Sequence, residues 1–205
     1  MRKVRKDAVR MRERLLDAAK ELDQARGADF SLPELAQAAG VSTATVYRHF
    51  DNPEDVRTGY TTRSVDRLVT SLEALPEKHR GIELFNETCR VWLTATEPWA
   101  RAAIRYRPSE GYLERRAAGR PLIVRLDASL RFVLKALVEL DIVPPQDLSA
   151  ATLVWITLFD ERVLIDLTEA AGWSLDQVID HLSVTLLMSL GAHREVARRI
   201  VSTPR

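Results

Sequence analysis

The stretch that decides the fold is Ser31–Phe50, SLPELAQAAGVSTATVYRHF. Its pattern is typical of two short helices joined by a tight turn. Ser31, with Glu34 three residues later, predicts a capping box at the start of the first helix. Gly40 is expected to end that helix, because the residue after a helix often adopts the left-handed conformation that suits glycine. Ser42 can then cap the second helix.

The second helix, predicted over residues 43–50, combines one apolar side with an outer face that has no carboxylate. Val46 and Phe50, four residues apart, form its buried side. The outer face carries hydroxyl, phenol, guanidinium and imidazole groups, which suit a polyanion. Its members are Thr43, Ala44, Thr45, Tyr47, Arg48 and His49. The alternative is a plain helical hairpin, but threonine, valine, tyrosine and histidine are poor helix formers, which favours a binding role.

The composition is that of a globular protein, with 46% hydrophobic and 29% charged residues. The single cysteine, Cys89, excludes an internal disulfide and a cysteine-based zinc site. No stretch reaches the roughly 18 apolar residues that a membrane span requires. The first residues also lack the apolar core of a signal peptide. We therefore expect a cytoplasmic protein without a membrane segment, metal or cofactor.

The charge of the chain is unevenly distributed, although the net charge is only +1. Residues 1–14 contain seven lysine and arginine residues against two acidic ones, a local charge of +5. A basic arm on a nearly neutral body indicates local contact with a polyanion. The alternative is a solvated, frayed terminus.

Helical periodicity continues through the rest of the chain, without a strand pattern, and predicts an all-α fold of about nine helices. Asn52 and Pro53 are expected to open the helix that follows the hairpin, as N-cap and first helical residue. The predicted helices cover residues 7–26, 32–39, 43–50, 53–75, 80–96, a short segment from 98, 120–140, 149–171 and 174–200.

Over about residues 8–60 the chain resembles the TetR family of transcriptional regulators. The resemblance rests on the first helix, Gly27, Phe30, the stretch Ser31–Phe50 and DNPEDV at 51–56. Within it, VSTATVYRHF at 41–50 follows the family order hydrophobic–Ser–x–x–Thr–hydrophobic–Tyr–x–His–Phe. Beyond residue 60 only the helical architecture is similar. The family usually has a lysine near the start of the fourth helix, where Pro53 stands here, so the family's phosphate contact is not carried over to that position.

This resemblance implies a DNA-binding transcriptional regulator rather than an enzyme. Residues 1–52 would form an N-terminal arm and a helix-turn-helix domain, and residues 53–205 a helical domain for effector binding and dimerisation. The second helix of such a hairpin enters the major groove of double-stranded DNA. The residues expected to read bases are Thr43, Ala44, Tyr47 and Arg48, with Arg48 suited to guanine. The residues expected to contact the DNA backbone are Ser31, Ser42, Thr45, Tyr47 and His49. The arm, with Lys3, Arg5 and Lys6, is expected either to follow the backbone or to enter the minor groove.

Two helices near the end of the chain are apolar around most of their circumference, over residues 148–167 and 178–188. Such helices must be buried on more than one side. They predict a homodimer through the last two helices, as the resemblance also implies, and an inverted-repeat operator. The alternative for one of them is a central core helix. Asp160, Glu161 and Arg162 interrupt the first, which we interpret as an exposed strip or an ion pair across the dimer.

Aromatic residues in the middle of the chain could line a pocket for a small apolar or aromatic effector. The resemblance implies that this effector shifts the fourth helix and releases a repressor from DNA. The candidate lining residues are Phe85, Cys89, Trp92, Trp99, Arg105, Tyr106, Phe132, Trp155 and Phe159. Ordinary core packing is the alternative for most of them. A small-molecule-binding or adaptor bundle without DNA function is the alternative for the whole chain.

Overall fold

The computed structural model describes residues 2–26, 30–105 and 109–201, and for residues 2–6 and 26 the backbone alone. Over these ranges the chain is helical and has no β-strand, which confirms the predicted all-α fold. The helices are α1 Arg2–Arg26, α2 Leu32–Ala39, α3 Thr43–Tyr47, α4 Pro53–Ala74, α5 Gly81–Thr96, α6 Ala100–Arg105, α7 Tyr112–Ala117, α8 Pro121–Glu139, α9 Leu148–Leu158, α10 Glu161–Ile165, α11 Leu175–Ser189 and α12 Arg194–Val201.

The first of two compact units contains the described residues up to 64, together with residues 102–105. Its core is built from α1, α2, α3 and the beginning of α4. The side chains of Leu15, Leu35, Val46 and Val56 are fully buried there. Burial of each such side chain contributes about 1.5–3 kcal/mol, and together they hold the hairpin against α1. The unit continues twelve residues past the predicted domain boundary at 52/53, because the first turns of α4 share this core.

The second unit contains residues 65–101 and the described residues from 109 onward. Helices α5, α8, α9 and α11 pack on one another, and α12 closes on α5 and α11. The amide Nδ2 of Asn86 donates to the carbonyl of Ile200 at 2.9 Å and fixes α12. Leu130, Leu134 and Leu137 form a buried stripe at helical spacing along α8. In the described part of the chain, no helix combines the length and apolar character that crossing a bilayer would require.

The prediction of one continuous helix over residues 149–171 is wrong. Helix α9 ends at Leu158, and Asp160 starts α10 by accepting a hydrogen bond from the backbone N–H of Arg162 at 2.8 Å. Helix α10 then continues as a π-helical turn over Asp166–Ala170. The apolar pattern runs through this break, but an aspartate that accepts from the backbone is a typical N-cap. The acidic interruption is therefore a helix start.

The helix predicted over residues 174–200 is also divided, at Gly191. This residue has a φ of +96°, and a Cβ atom added to it would lie 3.0 Å from the ring of Pro144. Glycine is the residue that tolerates both conditions, so the chain turns here between α11 and α12. At the other end of the chain, α1 begins at Arg2 instead of Asp7. Arginine and lysine are good helix formers, so the predicted arm continues the helix.

Candidate nucleic-acid interface

The hairpin of α2 and α3 has the caps that its sequence predicts. The Ser31 hydroxyl accepts from the backbone N–H of Glu34 at 3.4 Å, and the Glu34 carboxylate accepts from the Ser31 N–H at 2.8 Å. Gly40 follows α2 in the left-handed conformation, with φ 63° and ψ 42°. The Val41 N–H then donates back to the carbonyl of Ala36 at 3.0 Å. These bonds fix the angle at which the chain enters α3.

Helix α3 is shorter than predicted, because its regular part ends at Tyr47. Residues 48–50 form a closing turn, in which the N–H groups of His49 and Phe50 both donate to the carbonyl of Val46, at 2.9 and 3.0 Å. The first turn is capped by Ser42, whose hydroxyl accepts from the N–H of Thr45 at 3.2 Å. The side-chain directions expected of one helix are therefore preserved through Phe50.

The outer face of α3 is exposed as the sequence predicts. Val46 and Phe50 are buried, whereas the solvent-facing residues include Ser42, Ala44, Tyr47 and Arg48. Thr43, Thr45 and His49 are half-buried at its margins. The Thr45 hydroxyl lies 2.9 Å from that of Ser42 and accepts from the Arg48 guanidinium at 3.1 Å. This short chain of bonds orders polar groups that stay accessible to a partner.

Arg12 of α1 holds the end of the hairpin, a role that sequence reasoning missed. Its guanidinium donates to the carbonyl of His49 at 2.9 Å. The same group lies 4.3 Å from the centre of the Phe50 ring, which is the geometry of a cation–π contact. A Cβ atom on Gly59 of α4 would meet Arg12 at 3.2 Å. Arg12 thus joins α1 to the closing turn of residues 48–50, where Gly59 leaves room for it.

The electrostatic environment of His49 favours its neutral form. Burial is the first cause of its lowered pKa, and the nearby charges of Arg12 and Arg48 lower that pKa further. A neutral imidazole can still donate one N–H to a phosphate oxygen. The expected contact from His49 is therefore a hydrogen bond and not an ion pair.

The start of α4 is capped as expected. The Asn52 side-chain oxygen accepts from the N–H of Asp55 at 3.0 Å, and the Asp55 carboxylate accepts from the N–H of Asp51 at 3.1 Å. Pro53 is the first helical residue. Glu54 and Asp55 place carboxylates in the first turn. These charges stabilise the helix end and make it unsuited to a phosphate.

The predicted DNA contacts from Lys3, Arg5 and Lys6 involve side chains that lie outside the described residues. Helix α1 is tied to α4 further along, through Arg63. The guanidinium of Arg63 lies 2.9 Å from the carboxylates of both Glu13 and Asp17. Arg63 is mostly buried, and its guanidinium bridges the two carboxylates of α1.

Four of the predicted pocket residues form one buried aromatic cluster in the second unit. The ring centres of Phe85 and Trp155 are 5.6 Å apart, and those of Trp155 and Phe159 are 6.1 Å apart. Trp92 meets Phe159 edge to face at 6.2 Å. Cys89 is buried in the same unit, and burial raises the pKa of its thiol to about 12.

Among the other predicted pocket residues, Arg105 and Phe132 are not part of this buried cluster. Trp99 is buried and donates from its indole N–H to the carbonyl of Ala95 at 2.6 Å. Arg105 belongs to the first unit, where its guanidinium lies 3.5 Å from the Asp23 carboxylate. Phe132 is 51% exposed on the outer side of α8. Tyr106 lies outside the described residues. The structure therefore brings together only part of the predicted set.

Comparison with known proteins finds a family model that matches the part of the chain containing the hairpin. Residues 15–57 match the family model described as bacterial regulatory proteins, tetR family. An uncharacterised HTH-type transcriptional regulator of Mycobacterium tuberculosis is 35% identical over 101 residues, which cover 42% of this chain and 50% of that protein. The HTH-type transcriptional regulator AlkX of the same organism is 35% identical over 72 residues, or 35% of this chain and 34% of that protein. The chain thus spans at most about half the length of these curated relatives.

Solved structures share the fold over nearly the whole chain. The fatty acid degradation regulator FadR from Bacillus halodurans superposes with a TM-score of 0.70 at 18% identity, covering 89% of this chain and 97% of FadR. RolR in complex with resorcinol superposes with a TM-score of 0.64 at 19% identity, covering 97% of this chain and 96% of RolR. At such identities the likeness concerns the fold alone. Residues 15–57, which contain the capped hairpin, thus match the model of the tetR family of bacterial regulatory proteins, and the chain shares its fold with the regulators FadR and RolR.

Proposed function

We propose that the chain is a transcriptional repressor that binds double-stranded DNA in the cytoplasm. The observation that carries the proposal is the exposed, carboxylate-free outer face of residues 43–49, held in place by caps and by Arg12. In the major groove, this face reads base edges through Thr43, Ala44, Tyr47 and Arg48. The hydroxyls of Ser31, Ser42 and Thr45 and the imidazole of His49 contact phosphates. Lys3, Arg5 and Lys6 add backbone contacts.

Arg48 is the residue on which base recognition depends most. Its bond to the Thr45 hydroxyl restricts the rotamers of a long side chain before DNA is bound. Less side-chain entropy is then lost on binding, and the remaining N–H donors can form the bidentate contact that guanine accepts.

A homodimer through α9 and α11 completes the proposal. Within one chain, only Ala151, Thr152 and Trp155 of α9 are buried, and Leu153 is 38% exposed. In α11, Met188 is exposed as well. A partner that covers these apolar side chains would bury the remaining circumference of both helices. Two-fold symmetry then requires an operator with an inverted repeat.

The proposed effector is a small apolar or aromatic molecule that enters the aromatic cluster. Within that cluster, the indole N–H of Trp155 is buried and has no hydrogen-bond partner among the described residues. Buried polar groups are normally paired, so this donor supports a ligand with a polar substituent in an apolar site. RolR, which shares the fold, has been solved with resorcinol, a molecule of this kind.

Coupling between the effector and α4 is supported by Arg125 of α8. Its guanidinium donates to the carboxylates of Asp66 at 2.7 Å and Glu73 at 2.6 Å, and to the hydroxyl of Thr70 at 3.2 Å. These three acceptors lie on α4. This helix follows the hairpin of α2 and α3, here called the recognition hairpin, in the chain. We propose that a displacement of α8 by a ligand reaches α4 through this contact and changes affinity for DNA.

Selection of bound duplexes from a random pool, with the purified chain, tests the proposal. We expect the recovered sequences to share an inverted repeat. Titration of that duplex should show an affinity that falls as salt concentration rises, because phosphate contacts release counterions. A bound consensus without two-fold symmetry would contradict the dimer. Absence of salt-dependent binding would favour a helical bundle without DNA function.

A further inference from the structure

A cleft of about 880 Å³ opens on the second unit between α7, α8 and the start of α9. Its size is that of a site for a small organic molecule. None of the buried aromatic rings of the cluster lines it, so it is a separate feature. Its lining combines exposed apolar side chains with a compact group of charges.

The apolar wall of the cleft is unusually exposed. Leu113 of α7 and Val124 of α8 are 41% and 43% exposed, and Phe132, two turns beyond Val124, is 51% exposed. The positions 124, 128 and 132 follow one stripe of α8 at a spacing of four residues, with alanine in the middle. A continuous apolar stripe that faces solvent marks an interaction site more often than scattered apolar residues do.

The floor of the cleft is a carboxylate that holds two guanidinium groups. Asp127 is buried, and it accepts from the Tyr112 hydroxyl at 2.9 Å, from Nε of Arg116 at 2.8 Å and from Nε of Arg131 at 2.7 Å. Arg131 also donates to the hydroxyl of Ser149 at 2.6 Å. These bonds fix both arginines before any ligand arrives, so little side-chain conformational entropy remains to be lost on binding.

The charge of the cleft is positive. Arg116, Arg131 and Lys135 face a single carboxylate, so two positive charges are left in excess. Arg116 and Arg131 stay partly exposed, and Lys135, one turn beyond Arg131, is exposed. The cleft thus has a cluster of positive charges beside an apolar stripe that is about two turns of α8 long. The complementary ligand is an anion with an apolar body.

We propose that this cleft binds a small organic acid. The carboxylate of the acid pairs with Arg131 and Lys135, and its aliphatic or aromatic part lies along Val124 and Phe132. Arg131 is fixed on the buried Asp127 at the floor of the cleft, so a small anionic group reaches it more readily than the surface of a macromolecule. The inference concerns ligand binding alone, and only an effect of the acid on DNA affinity would rest on the proposed function.

Calorimetric titration of the full chain with octanoate and benzoate tests the proposal, with octanol and benzyl alcohol as uncharged counterparts. We expect saturable binding of one acid per chain, at least tenfold tighter than its alcohol. Lys135→Glu and Phe132→Ser should each weaken binding at least fivefold. Both side chains are exposed, so neither change threatens folding.

The matched controls are Lys78→Glu and Ile82→Ser, which alter exposed residues outside the cleft and should leave affinity within twofold. The proposal fails if neither acid saturates below 1 mM (about the weakest affinity expected of a specific site). It also fails if Lys135→Glu and Phe132→Ser bind the acid as the unaltered chain does. Dissociation of a dimer by Phe132→Ser would identify the cleft as an interface between copies instead. None of these results depends on whether the chain binds DNA.

Discussion

The recognition hairpin and the aromatic cluster are fixed by different interactions, the first by polar bonds and the second by packing. In α3, Val46 is the one buried residue, and the hairpin is fixed by the caps at Ser31 and Ser42 and by Arg12. In the cluster, Phe85, Trp155 and Phe159 are fully or almost fully buried and fix one another by packing. Short polar bonds can order a surface that must remain exposed, whereas packing orders a surface by removing it from solvent. Substitutions should therefore change binding in the first region and stability in the second.

The largest effect is expected from Trp155→Ala. Truncation of this buried ring leaves a cavity beside Phe85 and Phe159 and should lower the free energy of unfolding by about 3–5 kcal/mol. Urea unfolding followed by circular dichroism measures the change. Ile82→Ala, at a similarly exposed apolar position on α5, is the control and should cost less than about 1 kcal/mol. A loss from Trp155→Ala as small as that of the control would mean that the cluster is not a packed core.

Arg48→Ala should weaken binding to the selected operator by about 1–3 kcal/mol and relax specificity at one base pair. Stability should hardly change, because the side chain is exposed. Fluorescence titrations of operator and scrambled duplexes at fixed salt give both quantities. Arg194→Ala on α12 removes an exposed arginine of the other unit as a control. An equal loss on every duplex would assign Arg48 to a phosphate.

Gly40→Ala tests whether local geometry holds the hairpin. A side chain at φ 63° is strained, and its Cβ would lie 3.1 Å from the Arg14 guanidinium. We expect a loss of about 1 kcal/mol in stability, measured by thermal unfolding. The matched control is Gly111→Ala, because Gly111 has φ −67° and open space around it. Equal stability of the two variants would show that the turn does not require glycine.

The smallest effect is expected from His49→Gln. Since burial and the two arginines lower the pKa of His49, its ring is neutral at neutral pH and loses no charge on substitution. Operator affinity should change by less than about 0.5 kcal/mol, and the ratio between the two proteins should be constant from pH 7 to 8.5. A ratio that favours the unaltered chain more strongly as pH falls would show a protonated imidazole on DNA.

The parts of the molecule that the sequence predicted well depend on neighbours in the chain. The caps at Ser31, Ser42 and Asn52 each involve residues three apart, so the residue types alone indicate the bonds. Gly40 is similarly local, because its left-handed conformation follows directly on the last turn of α2. The exposed, carboxylate-free outer face of α3 follows from these signals together.

The parts that the sequence did not predict depend on distant contacts or on competing signals. Arg12 and His49 are 37 residues apart, and nothing in a basic N-terminal segment singles out the arginine that folds back. At Asp160, the apolar periodicity favoured a continuous helix, but the aspartate formed a cap instead. Phe132 was grouped with the other aromatics by residue type, and the helical face it occupies depends on the packing of α8.

The contact made by Arg12 also decides whether the recognition hairpin keeps its structure when it is transferred to another protein. A graft of residues 31–50 into another scaffold would carry its own caps but would leave behind the guanidinium that holds the carbonyl of His49 and the ring of Phe50. The smallest segment expected to keep the geometry of the hairpin therefore includes α1 and the part of α4 around Gly59, where the arginine is accommodated. For protein engineering, the segment to transfer therefore runs from α1 into α4, because α3 alone would lack the contacts that fix it.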